Sequence, residues 1–472
     1  MKTLNTNKAK LLLLFTRDPR INSLHQELEY YSSDNDMQIG LILKDKVDET
    51  FHALLFDRNS RKKYCIVDWE IDLHTIQEAR KVLEQKMNSY VRNDKILNEN
   101  KPANDFFALK VKPEQQHPYF KMLIDKKGFF TAAKEVIEEL SFHFEDRDGN
   151  FVEQFQSNNG FEARLWELYL WCYFREEGFN FCNQYAAPDF LINKGAEEVA
   201  IEAVHISRKQ SLNELTTFPT QEEILYKLEN EIPLMYGSSL YSKLKHTYEN
   251  KKYWELPQVK DKPLIYAIAD FHADMSMTWS FPGIISILYG IIQRQPVHNE
   301  DGTISIQNES GIVFQKNNIN IKPLFLDDQF KHVSAVLFSP CGTLAKFNRM
   351  GVQAGLGNGT DKLYQIKMCY NSTPNAIYPD VIGAVVNEQS CETWSDGIQI
   401  YHNPFAEIKL NPDLFPHAGH NFYDGQFVRS LIPDNHIIST TTHNIKNMPI
   451  NPPSFKMHSS DIFDKIEQKW RL

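Results

Sequence analysis

Residues 161–206 read FEARLWELYLWCYFREEGFNFCNQYAAPDFLINKGAEEVAIEAVHI. The apolar density and length of Phe161–Glu177 predict a buried helix, and Gly178 ends it. That helix carries Glu162 and Glu167. A short strand is expected at Phe179–Asn183, and the next strand opens on Pro188-Asp189. A third strand carries Glu202, with Lys194-Gly195-Ala196-Glu197 as the turn between the last two. If Gly195-Ala196 is a two-residue loop, Lys194 faces Glu197. Counting back along both strands then sets Asp189 directly opposite Glu202. Such residues have Cβ atoms about 4.5–5.5 Å apart. Two carboxylates that close repel each other unless a cation lies between them, and oxygen-only ligands suit Mg²⁺ or Mn²⁺. A three-residue loop would slip the register by one and put the acids on opposite faces. Phe190 and Ile192 alternate with Leu191, and Val199 and Ile201 with Ala200. Both faces are therefore apolar, the pattern of a covered sheet. A covered hairpin has little reason to hold two acids unless they are paired or metal-bound.

The chain of 472 residues is long enough for two or three domains. With 42% hydrophobic and 12% aromatic residues it can bury large cores. A net charge of −10 and a pI near 5.9 argue against a generally basic, nucleic-acid-coating protein. A local basic patch remains compatible with a nuclease, and Lys243, Lys245, Lys251, Lys252, Lys260 and Lys262 supply one candidate. Cysteines at 65, 172, 182, 341, 369 and 391 form no CxxC pair, which fits a reducing compartment. The N-terminal apolar run Leu11–Phe15 is too short for a signal segment or a membrane span. The expectation is a cytoplasmic protein without a membrane partner.

Three regions are expected, in an α/β fold. Residues 1–130 read as an accessory α/β unit, with strands at Lys10–Phe15, Ile39–Leu43, Phe51–Leu55 and Lys63–Val67. A helix follows at Leu73–Tyr90, and the polar stretch Asn93–Gln116 reads as a linker. Residues 131–295 hold helix Phe161–Glu177, three strands, a helical region from Thr220 to Tyr253, the buried strand Leu264–Asp270 and a helix at Phe281–Gln293. Residues 296–472 read as an α+β or β-rich extension.

The α-β-β-β-α-β order of the middle region, with PD before one strand and an acid on the next, resembles the PD-(D/E)XK, or restriction-endonuclease-like, superfamily. The likeness covers residues 155–275. Further stretches, FVEQFQS at 151, GSSLYSKLKHTY at 237, KPLIYAIADFHADMSMTWS at 262 and GTLAKFNRMG at 342, are similar to uncharacterised bacterial proteins with this core. The resemblance implies a mixed-sheet core and Mg²⁺- or Mn²⁺-dependent cleavage of phosphodiesters, in DNA more than RNA. Some members only bind nucleic acid or protein. It also suggests a role against phage or other foreign nucleic acid, and leaves room for a homo-oligomer or a protein partner. By position, Pro188-Asp189 matches PD and Glu202 the second acid. The lysine due two residues later is Val204 here. In parts of the superfamily that lysine has moved to a neighbouring helix, which makes Lys243 the candidate replacement, with His205 and Lys209 behind it.

Each candidate has a structural alternative. Glu167 either approaches the metal or pairs with Arg164, three residues earlier. Glu162 is either a metal ligand or a first-turn acid favoured by the helix dipole. Asp270-Phe271-His272-Ala273-Asp274 is either a further metal-binding run or a polar strand end. His417, His420 and Asp424 form a rival set, suited to zinc or iron in a metallohydrolase. Pro416 and Gly419 make that segment read equally well as a surface loop.

Overall fold

The computed structural model describes residues 1–33, 37–93, 97–98, 102–146, 149–208, 219–293, 297–298, 304–305, 308–316, 318–359, 362–373, 376–445 and 454–458. It is a mixed α/β structure with several sheets. Among the described residues no helix is long and apolar enough to cross a membrane.

The chain begins with β1 (Lys2–Thr3) and helix α1 (Thr6–Leu12). Strands β2 (His25–Ser32), β3 (Gln38–Asp45), β4 (Phe51–Arg58) and β5 (Tyr64–Leu73) complete a five-stranded antiparallel sheet with neighbours in chain order. Helix α2 (Ile76–Ser89) packs on it through Ala79, Leu83 and Met87. One expectation fails here, and one strand lies where none was expected. The run expected as strand Lys10–Phe15 is instead the end of helix α1, to Leu12, and then a turn, because a solid apolar run has no period of its own. The Asn5 side chain caps that helix by accepting from Lys8 N–H; Ala9 and Leu12 are buried in the core under the N-terminal sheet and Leu11 in the large central core. The polar HQELEYYS segment at 25–32, which shows little apolar pattern, is a strand.

The stretch 93–116 is not a free linker where it is described. Phe106 is fully buried among Phe144, Phe151 and Phe155. The buried Gln156 amide bonds the backbone of Phe106, Ala108 and Lys110 and so holds this segment in place of a strand partner.

The second, larger sheet has eight strands. In chain order they are β6 (Asn180–Phe181), β7 (Phe190–Lys194), β8 (Glu197–Ile206), β9 (Leu264–Asp270), β10 (Ala335–Phe338), β11 (Gln399–His402), β12 (Gly419–Tyr423) and β13 (Val428–Leu431). They lie side by side in that same order. β8 and β10 run parallel to β9, and β12 runs parallel to β11. β7 is antiparallel to β6 and β8, and β11 to β10. The sheet thus runs past residue 295, where the middle region was expected to end, and takes four strands from beyond it. Helix α3 (Thr131–Ser141) precedes the site helix α4 (Phe161–Glu176). Between β8 and β9 the expected helical region is two helices, α5 (Gln221–Asn230) and α6 (Ile232–Lys245), with Pro233 in the first turn of the second. The helix expected at Phe281–Gln293 is the shorter α7 (Pro282–Tyr289), closed by Gly290 in the left-handed region. Helix α8 (Leu344–Gln353) packs against α3, and Gly351 sits where a Cβ would meet the Ala132 carbonyl oxygen at 2.6 Å. α8 buries Lys346 and Arg349, and Glu392 bonds both at 2.7 Å, so these charges are paired inside the protein. A separate four-stranded sheet joins Leu363–Cys369, Asp380–Val385, Ile437–Asn444 and Phe455–His458.

Candidate active site

The hairpin of β7 and β8 has the two-residue loop Gly195-Ala196. Lys194 pairs with Glu197, and the ladder runs back to Phe190 opposite Ile201. Gly195 takes φ +64°, a conformation that a Cβ disfavours. This register carries Asp189 to Glu202. The Asp189 N–H donates to Glu202 Oε2 at 3.2 Å, and Asp189 Oδ2 accepts the Ala203 N–H at 2.8 Å. Each acid is thereby tied to the other's strand.

Lys243 reaches the pair from α6. That helix buries Ile232, Tyr236, Leu240 and Leu244, so its apolar side is fixed against the protein and Lys243 lies at the edge of that side. Its Nζ lies 2.5 Å from Glu202 Oε1. The Tyr253 hydroxyl donates to the same oxygen at 2.7 Å, and Lys243 Nζ lies 5.7 Å from the Tyr253 ring centre. The Glu202 side chain is only 4% exposed. Burial, with Asp189 beside it, raises the Glu202 pKa well above the carboxylate range, and Lys243 and Tyr253 pull it partly back. Burial disfavours the charge on Lys243, but Glu202 and Asp189 outweigh it and raise its pKa.

Glu167 joins this group from α4. Arg164 Nη1 pairs with Glu167 Oε2 at 2.7 Å, as its spacing allows, and Arg164 Nε bonds Gln154 Oε1 at 2.7 Å. Burial, then the charge of Asp189, raises the Glu167 pKa, while Arg164 and Lys243 oppose the rise. Glu167, Asp189 and Arg164 line one cleft together with Asp146, Asn150 and Asn183. His205 is half-buried, and burial, with Lys243 and Arg164 nearby, lowers its pKa. That shift disfavours a charge on its ring.

Glu162 belongs elsewhere. Five residues from Glu167, it points about 140° away around the helix. Its carboxylate lies 3.8 Å from Arg208 Nε, and Arg208 also holds Asp274 at 2.6 Å. Burial raises Glu162 to about 7, against the pull of Arg208. Asp270 is buried and bonds the His272 ring nitrogen at 2.7 Å, while Asp274, at the end of the DFHAD run, is held by Arg208 and the Tyr119 hydroxyl. Lys209 lies outside the described residues.

The rival set does not converge. His420 is buried, with Nδ1 bonded to His402 Nε2 at 2.9 Å and Nε2 to the Phe415 carbonyl at 3.0 Å. His417 bonds Glu177 at 3.1 Å. Asp424 caps its own turn through the N–H groups of Gln426 and Phe427 and pairs with Arg429. Of the lysine cluster, Lys262 pairs with Glu198, and Lys252 bonds the Lys245 carbonyl.

The residues that sequence reasoning missed are Tyr253, Gln154 and the second role of Arg164. Nothing near Tyr253 in NKKYWE marks it, because its contact with Glu202 is made across 51 residues. As a donor set, Glu167, Asp189 and Glu202 supply carboxylate oxygens alone, and these three acids face two cations, Arg164 and Lys243. That set suits a hard divalent ion. Among the described residues, however, Glu167 does not close a group with Asp189 and Glu202 in which all ligand atoms lie within 4.8 Å. Comparison of the chain with protein-family models, with curated proteins and with solved structures returns no match.

Proposed function

We propose that the chain is a metal-dependent phosphodiester hydrolase acting on nucleic acid, with a PD-(D/E)XK-like core whose lysine has moved to α6. The observation that carries this reading is Lys243 Nζ at 2.5 Å from Glu202 Oε1, beside Asp189. It puts a cation against the second acid although the motif position itself is Val204. Asp189 and Glu202 would hold Mg²⁺ or Mn²⁺, with Glu167 a further carboxylate that lines the same cleft as Asp189. A bound ion would supply Lewis-acid polarisation of the phosphate and a more acidic water. Lys243 would then be released toward the phosphate oxygens, where its charge balances the negative charge that grows in the transition state. Arg164 keeps Glu167 oriented. Tyr253 fixes the Glu202 carboxylate so that it need not reorganise during reaction.

A second reading has its own support. Glu202 already accepts from Lys243, Tyr253 and the Asp189 N–H. A carboxylate so fully occupied suits a catalytically silent module that binds nucleic acid or protein. Incubation of wild type and Glu202→Gln with plasmid DNA and RNA, in Mg²⁺, Mn²⁺ or chelator, separates the two. Cleavage by wild type with divalent ion alone, lost in Glu202→Gln, is the result expected of the hydrolase. Absence of cleavage by wild type under every condition favours the silent module.

A further inference from the structure

The N-terminal sheet holds a second cluster that the proposed hydrolase does not use. His25 opens β2, Asp45 closes β3 and His52 lies near the start of β4. Register alone brings them together. His25 is directly opposite Asp45, and His52 is opposite Leu43, two residues back from Asp45 and on the same face. One ligand atom from each lies within 4.8 Å of the other two. His25 Nε2 is 3.3 Å and His52 Nε2 is 3.9 Å from Asp45 Oδ2. These separations are longer than a good N–H···O hydrogen bond of about 2.7–3.2 Å. The first matches the roughly 3.3 Å between two ligands that each bind zinc at about 2.0–2.1 Å in a tetrahedron, and the second, at 3.9 Å, needs a small closing movement of the His52 ring.

The surroundings hold these atoms in place. Asp45 Oδ1 accepts the Val47 N–H at 2.7 Å, which leaves Oδ2 turned toward the two rings. Among the described residues, the buried His25 Nδ1 has no hydrogen-bond partner. The side chains are 22%, 20% and 10% exposed for His25, Asp45 and His52, so an ion can enter from solvent while the site stays partly shielded. We propose that His25, Asp45 and His52 bind one divalent transition ion of the Zn²⁺ class, independently of Asp189 and Glu202. Two imidazoles with one carboxylate select zinc-like ions over Mg²⁺ or Ca²⁺. Three protein ligands leave one position for water or another small ligand. The ion ties β2, β3 and β4 together at this end of the sheet.

Loading also has a local consequence. His52 Nδ1 accepts the Asp72 N–H at 3.2 Å, so the proton of the neutral ring sits on Nε2 in the ion-free form. Coordination through Nε2 moves that proton to Nδ1 and ends the Asp72 bond, a change confined to an exposed residue with φ +60°.

The test uses the full chain, stripped with chelator, dialysed and titrated with Co²⁺ and then Zn²⁺. Wild type and Glu202→Gln are expected to show the visible absorption of a nitrogen- and oxygen-ligated Co²⁺ centre, displaced by one equivalent of Zn²⁺. His25→Ala, His52→Ala and Asp45→Asn should each weaken binding by at least ~100-fold, the upper end of what loss of a supporting partner costs a metal site. Asp45→Asn can keep the turn-capping oxygen, so its loss of binding reads ligation rather than folding. Circular dichroism checks the fold of the alanine variants. Absence of a Co²⁺ spectrum in wild type, or an unchanged spectrum in folded His25→Ala, His52→Ala and Asp45→Asn, overturns the proposal. The Glu202→Gln arm keeps this result separate from the fate of the proposed hydrolase.

Discussion

At the scale of single residues, the Lys243–Glu202 pair sets the expectations. Glu202→Gln is nearly isosteric and removes the charge that would hold the ion, so cleavage of plasmid should vanish while circular dichroism is unchanged. Lys243→Ala should cut turnover by at least ~10²-fold, the cost of losing one transition-state charge contact. It should also lower stability by ~1–3 kcal/mol in chemical denaturation, because it strips a partner from a buried acceptor. Normal turnover in Lys243→Ala alongside a dead Glu202→Gln would reassign the cation. Glu162 supplies a pH test. Its pKa rises from 4.5 to about 7 on folding, mainly through burial. Such an acid favours the folded state below the unfolded value, and that contribution is lost as pH climbs through 7. The span is about 3 kcal/mol at most. Glu162→Gln should therefore flatten the fall in stability between pH 4.5 and 7, as read from denaturant midpoints across that window. A variant whose pH profile matches wild type would show that Arg208 already neutralises the carboxylate's burial cost. Lys243 was legible in the sequence only as a position on the right helix. Tyr253 was not legible at all, since no local pattern encodes a contact made by tertiary folding.

Among elements, the β7–β8 hairpin was readable because its signals are local. Gly195 marks a tight loop, and a two-residue loop fixes every pair behind it. The acid pair follows from that register by counting. Helix α4 was readable from length and apolar density, but its contacts were not. Trp166 donates its ring N–H to the Ala267 carbonyl at 2.9 Å, and its six-membered ring lies where a Cβ on Gly342 would come within 2.5–2.6 Å. Gly342→Ala should therefore push on the helix that carries Glu167 and lower stability by ~1–3 kcal/mol, the usual cost of overpacking a filled core. A melting temperature equal to wild type would mean that Trp166 has room to move. Misreadings fell where the periodic signal is weak. The leucine run before Phe15 could not declare its period, and the polar strand β2 showed no apolar face in its letters. α1 depends instead on a side-chain cap, and β2 on its partners in the sheet.

For the whole molecule, the largest gap between sequence and structure is the reach of the second sheet. Strands β10 to β13 were expected in a separate extension, because pairing across long stretches of chain leaves no mark in either strand's pattern. β9 is buried at all seven positions and lies between β8 and β10. A fragment of residues 131–295, which omits the separate N-terminal sheet, leaves β9 without one of its two neighbours. It should give no cooperative unfolding transition by circular dichroism, and a sharp transition would mean that the earlier residues fold alone. The same parallel order bears on how the protein is made. A ribosome adding about 5–20 residues per second releases Glu202 on the order of ten seconds before β10 is available. Throughout that interval the acid-bearing hairpin belongs to a sheet with an open edge. Completion of the candidate site's platform is thus a late event of synthesis, and until then β9, buried at all seven positions in the finished fold, lacks the neighbour that covers one of its edges.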